Sequence, residues 1–161
     1  MKTPVQLPIR PHLLQYLKSV WMADISKPIA LSSRNVFGHY IYCIIEVSPG
    51  HIKPPAVEGS KITLELTEYD KYGKMFDARQ GHLYISEANA LRFNNFLEDC
   101  FKKELFDYLD GLCENDSRKQ IKLGIESFMN KHQLYQFDIH YESLKKAYYR
   151  HRKKRVYAVA V

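Results

Sequence analysis

The hydrophobic and polar positions along the chain follow two periods. Residues 61–68 alternate: Ile62, Leu64 and Leu66 fall on one side and Thr63, Glu65 and Thr67 on the other. That pattern predicts a strand with one buried and one wetted face. Residues 75–85 read as a second, less regular strand with a break at Gly81, and Asp70 and Gly73 mark a turn between the two. The pair is expected as a β-hairpin, which is marginal alone and must pack on helices or recruit a further strand. Residues 5–9, with Val5, Leu7 and Ile9 on one side, or the tail at residues 156–161, are the candidates for that strand.

Elsewhere the period is helical. Pro11 suits a first helical turn, where its missing N–H costs nothing. Leu13, Leu14, Leu17, Val20 and Trp21 then share a face, with Trp21 expected as a core plug. Within residues 36–47, Val36, Phe37, Tyr40, Ile41, Ile44, Ile45 and Val47 fit helical spacing, with Ser32 or Ser33 as the cap. The same run is rich in β-branched and aromatic residues that suit a buried strand, and helix is preferred narrowly. The longest helix is expected to start at Ser86 and stop at Gly111. Its apolar stripe holds Leu91, Phe93, Phe96, Leu97, Cys100, Phe101, Leu105, Tyr108 and Leu109. Ser117 caps a further helix through about His132, with Ile121, Ile125, Phe128 and Met129 inside. A last helix begins near Asp138 or His140, with Leu144, Ala147 and Tyr148 as a narrow inner stripe. The expected fold is α+β and mostly helical: two N-terminal helices, a β-hairpin, then three helices ending in a basic one. One domain, 1–161, is expected, with a helical subdomain at 117–155 of loose helix-turn-helix character.

Composition agrees with a globular chain: 161 residues, 45% hydrophobic and 13% aromatic, with 12 tyrosines. Charge changes the picture more. The net charge is +6, yet residues 117–155 hold eleven Lys/Arg against three Asp/Glu, and the remainder thirteen against fifteen. Seven of the thirteen residues 143–155 are Lys or Arg. This asymmetry points to an anionic partner docking at one end; a solvated helix face is the plainer reading.

The candidate nucleic-acid-binding residues are Lys145, Lys146, Tyr149, Arg150, Arg152, Lys153, Lys154 and Arg155. On a helix, Lys145, Tyr149 and Arg152 lie near one another, as do Lys146, Arg150, Lys153 and Lys154. Leu144 and Tyr148 share the opposite side and would hold the helix from behind. Rows of cations match a phosphate backbone, arginine can donate two parallel bonds to a phosphate or a guanine edge, and Tyr149 can donate to a phosphate or stack on an unpaired base. The expected function is a small non-enzymatic nucleic-acid-binding protein, a regulator or accessory factor, with DNA ahead of RNA as partner. The alternative is a protein-interaction module forming homo-oligomers through tyrosine-rich surfaces and a strand edge.

No other chemistry has comparable support. No two of the seven histidines fall in an H-x-x-x-H or H-E-x-x-H frame, so no metal is expected, and no cofactor motif is present. Asp70, Asp77 and Glu87 could gather as metal-binding carboxylates of a nuclease, but their spacing equally suits turns and caps. Cys43, Cys100 and Cys113 lie among apolar neighbours, an odd count expected as core residues in a reducing, cytoplasmic setting. No signal peptide and no membrane span are expected.

Overall fold

The computed structural model describes residues 3–21, 24–32, 34–49, 57–66, 81–112, 118–137 and 139–159. In chain order the elements are β1 (Thr3–Pro8), α1 (Pro11–Trp21), β2 (Ile29–Ala30), α2 (Val36–Ile44), β3 (Glu46–Pro49), β4 (Lys61–Leu66), β5 (Gly81–Tyr84), α3 (Glu87–Leu112), α4 (Arg118–Lys131) and α5 (Tyr141–Val159). The class is α+β and mostly helical, with two helices before the last strands and three after them. The chain forms two compact units, Met1–Leu97 and Glu98–Val161, divided within α3.

In the first unit, β4 is the central strand of a sheet ordered β1-β4-β2. The N-terminal arm is indeed a strand: β1 runs antiparallel to β4, with Val5 opposite Leu64 and Leu7 opposite Ile62. Directly opposed residues share a face, so these four buried side chains form one apolar surface. β2 pairs with β4 in parallel on its other edge, with Ile29 opposite Leu64. With both edges occupied, β4 does not form the expected hairpin. The described end of the second strand, β5, pairs instead with β3, Val47 opposite Leu83. The expected turn at Asp70 and Gly73 and the expected first part of that strand, residues 75–80 with Asp77, lie outside the described residues. Residues 156–159 belong to α5, so the tail is helical there rather than a strand.

The ambiguous run at residues 36–47 resolves into both forms: α2 to Ile44, then β3 from Glu46, with Ile45 already extended. The cap is Asn35, not the expected serines. Its side-chain oxygen accepts from the Gly38 N–H at 2.6 Å, meeting an otherwise orphaned donor. Gly38 is required by a close approach, since a Cβ there would sit 1.9 Å from the Ser32 carbonyl oxygen. Trp21 is half-buried rather than a full plug. It meets Phe37 edge-on at 6.0 Å, and Tyr40 stacks on Phe96 at 4.6 Å. Cys43 is exposed and Cys100 half-buried, both as free thiols. Cys43 therefore departs from the expected core placement because it lies on the outer side of α2, opposite the buried Ile41 and Ile44. Cys113 lies outside the described residues.

The regular elements of the second unit among the described residues are all helices. Phe101, Leu105 and Leu109 from α3, Ile121, Ile125, Phe128 and Met129 from α4, Leu134 beyond it, and Leu144 and Tyr148 from α5 are all buried. Phe101 and Phe128 meet edge-on at 5.6 Å. A Cβ on Gly124 of α4 would come within 2.6 Å of a Leu109 methyl group, so glycine permits this close helix approach. α3 begins after Ser86, whose carbonyl accepts from Ala90 N–H at 2.8 Å, and continues past Gly111 to Leu112.

Candidate functional site

α5 carries the candidate residues and is positioned from behind. Leu144 and Tyr148 are 5% and 1% exposed, as their four-residue spacing predicts. The same side of the helix continues through His151 and Arg155, each a turn further on. Asp110 of α3 gathers this side. Its carboxylate accepts from the Tyr148 hydroxyl at 2.8 Å, pairs with Arg155, and lies 3.5 Å from His151 Nε2. The His151 ring stacks on Phe106 at 4.5 Å. A buried phenol, an imidazole on a phenyl ring and an ion pair thus fix the rotation of α5 about its axis.

That rotation sorts the eight candidates into three groups. Arg155 is turned toward Asp110. Lys145, Tyr149 and Arg152 lie half-buried along one flank: Lys145 is 3.4 Å from Glu142 and 5.5 Å from the Tyr141 ring centre, and the Arg152 guanidinium lies 6.0 Å from the Tyr148 ring centre. Lys146, Arg150, Lys153 and Lys154 form the outer stripe, all four exposed and in no ion pair with any described residue. From Lys146 to Lys154 the stripe runs about 12 Å along the axis, at 1.5 Å per residue. On α3, Glu98 pairs with Lys102 at 3.3 Å, and Asp107 with Lys103 at 2.6 Å.

The sequence reading missed Asp110, His151 and Phe106. A signal for His151 was present, because the positions 144, 148, 151 and 155 continue the inner period past Tyr148; none was present for Asp110 and Phe106, which stand on another helix. Charge hid it, since the stripe was read as ending where arginine and histidine begin.

The connection from α4 to α5 is residues 132–140, longer than the six or so expected and than the 3–4-residue turn of a helix-turn-helix. Among the described residues, no group of three or more His, Cys, Asp or Glu could hold a metal ion. Glu87 is exposed in the first turn of α3, and its two proposed partners lie outside the described residues. No helix among the described residues is long and apolar enough to cross a membrane. Comparison with protein families, with curated proteins and with solved structures finds no match.

Proposed function

We propose that this is a small nucleic-acid-binding protein, a non-enzymatic regulator or accessory factor, whose α5 helix neutralises backbone phosphates. The observation that carries the reading is the outer stripe of Lys146, Arg150, Lys153 and Lys154, exposed and unmatched by carboxylates among the described residues, on a helix whose opposite side is held by Leu144, Tyr148 and Asp110. Unpaired cations in a row form a phosphate-tracking surface, and their worth comes from releasing counterions of the polyanion. Lys145 and Arg152 add positive charge at the flank, and Arg155 adds to the local field while it holds the helix. The free thiols of Cys43 and Cys100 suit a reducing cytoplasm.

The test is a mobility shift with a 20-nucleotide probe and the variant carrying Lys146→Ala, Arg150→Ala, Lys153→Ala and Lys154→Ala together. These side chains are exposed, so circular dichroism and thermal unfolding should match the parent. The shift should disappear at salt concentrations where the parent binds fully. An unchanged shift in that variant would reject the reading. Light scattering checks the competing assembly reading: a stable oligomer indifferent to nucleic acid would replace this proposal.

A further inference from the structure

We infer that the α5 face is built for a single strand rather than a duplex, with Tyr149 as the platform on which one base stacks; this rests on the nucleic-acid reading above. Tyr149 lies between the flank and the cation stripe. On a helix its nearest neighbours are Lys145 and Lys146 on the turn before and Arg152 and Lys153 on the turn after. Its ring is half-buried, and its hydroxyl has no hydrogen bond among the described residues. The other tyrosines of this unit with known side-chain surroundings are differently placed. The Tyr108 hydroxyl meets Ser127 at 2.9 Å, the Tyr135 hydroxyl donates to the Glu126 carbonyl at 2.9 Å, and Tyr148 is buried on Asp110. The Tyr141 ring faces the Lys145 ammonium at 5.5 Å. Tyr149 is therefore the aromatic ring left at the cation stripe with its polar end unengaged.

An aromatic face beside phosphate-binding cations is the arrangement that single strands require. The cations track the backbone while an unpaired base, with both faces open, stacks on the ring. Bases in a duplex are already stacked on each other and offer only their edges. Two further features argue against a duplex groove. The recognition helix of a helix-turn-helix presents its N-terminal residues to the bases. The first turn of α5 carries Glu142 instead, a carboxylate with 62% of its side chain exposed, which phosphates would repel. The cations lie further along, from Lys145 onward. The connector of residues 132–140 is also longer than the 3–4-residue turn that sets a recognition helix against its partner helix.

The experiment is fluorescence anisotropy of the full chain with three labelled probes, a 20-nucleotide oligothymidine, a 20-nucleotide oligouridine and a 20-base-pair duplex. Both single strands should bind at least about tenfold more tightly than the duplex. Their ratio reports whether the sugar matters. Tyr149→Leu should weaken single-strand binding by about 5- to 150-fold, the range for one stacked base, and leave duplex binding unchanged. Tyr149→Phe should retain the single-strand affinity, because stacking needs the ring and not the hydroxyl. Duplex binding as tight as single-strand binding, or a Tyr149→Leu variant with full single-strand affinity, would overturn the inference and leave the nucleic-acid reading standing. An equal loss in Tyr149→Phe and Tyr149→Leu would assign the hydroxyl to a phosphate and overturn stacking. A parent protein that binds none of the probes overturns both.

Discussion

Asn94 is 6% exposed and polar, and its hydrogen bonds explain its burial. Its amide donates to the Pro8 carbonyl at 3.0 Å and the Ala90 carbonyl at 2.8 Å, and its oxygen accepts from the Arg10 N–H at 2.8 Å. It therefore meets the backbone on both sides of the β1–α1 junction, where strand and helix ladders leave groups unpaired. Asn94→Ala should destabilise the protein by about 1–3 kcal/mol, because the cost is that of stranding buried groups rather than of losing average bonds. Urea unfolding with an unchanged slope and a lower midpoint is the expected result. His132 is also buried, and its burial has a consequence for acid stability. Its side chain is 3% exposed, packs 4.6 Å from the Phe128 ring centre and faces Glu104 at 3.3 Å, with Lys131 adjacent. Burial pushes its pKa below the ordinary 6.5, against the pull of the Glu104 carboxylate. The unfolded chain then binds a proton near pH 6.5 that the folded chain refuses. The neutral imidazole's contribution is complete above that pH and declines as pH falls from 6.5 toward the depressed folded value. Unfolding midpoints measured between about pH 7.5 and about pH 5.5 should therefore fall less in His132→Gln than in the parent. Equal slopes would show that His132 contributes nothing to the acid sensitivity.

Among the elements, the end of α4 shows how far a local ending depends on one backbone conformation. Gln133 has φ 53°, in the left-handed region that glycine favours. Its N–H donates to Asn130 and the Leu134 N–H donates to Met129, at 3.1 Å and 2.9 Å. Leu134 and Met129 are both buried. These bonds and contacts define a Schellman ending, in which glycine normally occupies the left-handed position. Gln133→Gly should stabilise the protein by about 0.5–1 kcal/mol, since the relief of left-handed strain exceeds the added freedom of the unfolded chain. Thermal unfolding would read it as a higher midpoint. No loss of binding is expected, because the ending fixes the connector and not the cation stripe. The elements also differ in how legible they were. The alternation in β4 and the stripe in α3 belong to residues close in sequence, so their type could be read directly. α2 could not, because its residues satisfy both periods. Asn35 accepting from Gly38, and the tight passage of Gly38 past Ser32, select the helix there.

At the scale of the molecule, the functional reading rests on an uneven distribution of charge. A net charge of +6 is modest for 161 residues, but the excess is concentrated toward α5. Such a concentration speeds encounter with a polyanion and makes affinity sensitive to salt. If the four stripe cations each displace about one counterion, the logarithm of single-strand affinity should fall against the logarithm of salt with a slope of about −3. Titrations at several salt concentrations measure it. A slope near zero would mean that phosphates are not the contact. The alanine variant of all four positions should flatten it.

The order of residues along the chain was enough to determine the helical majority, the β4 strand, the inner anchors Leu144 and Tyr148, and the place where positive charge collects. These depend on neighbours within a turn or a pleat. Tertiary structure alone decided that β4 pairs with β1 and β2 instead of the strand after it, because pairing joins segments far apart in sequence. It also decided which cations remain outward. Arg155 meets Asp110 across 45 residues of chain, and no local period records where a carboxylate on another helix will stand.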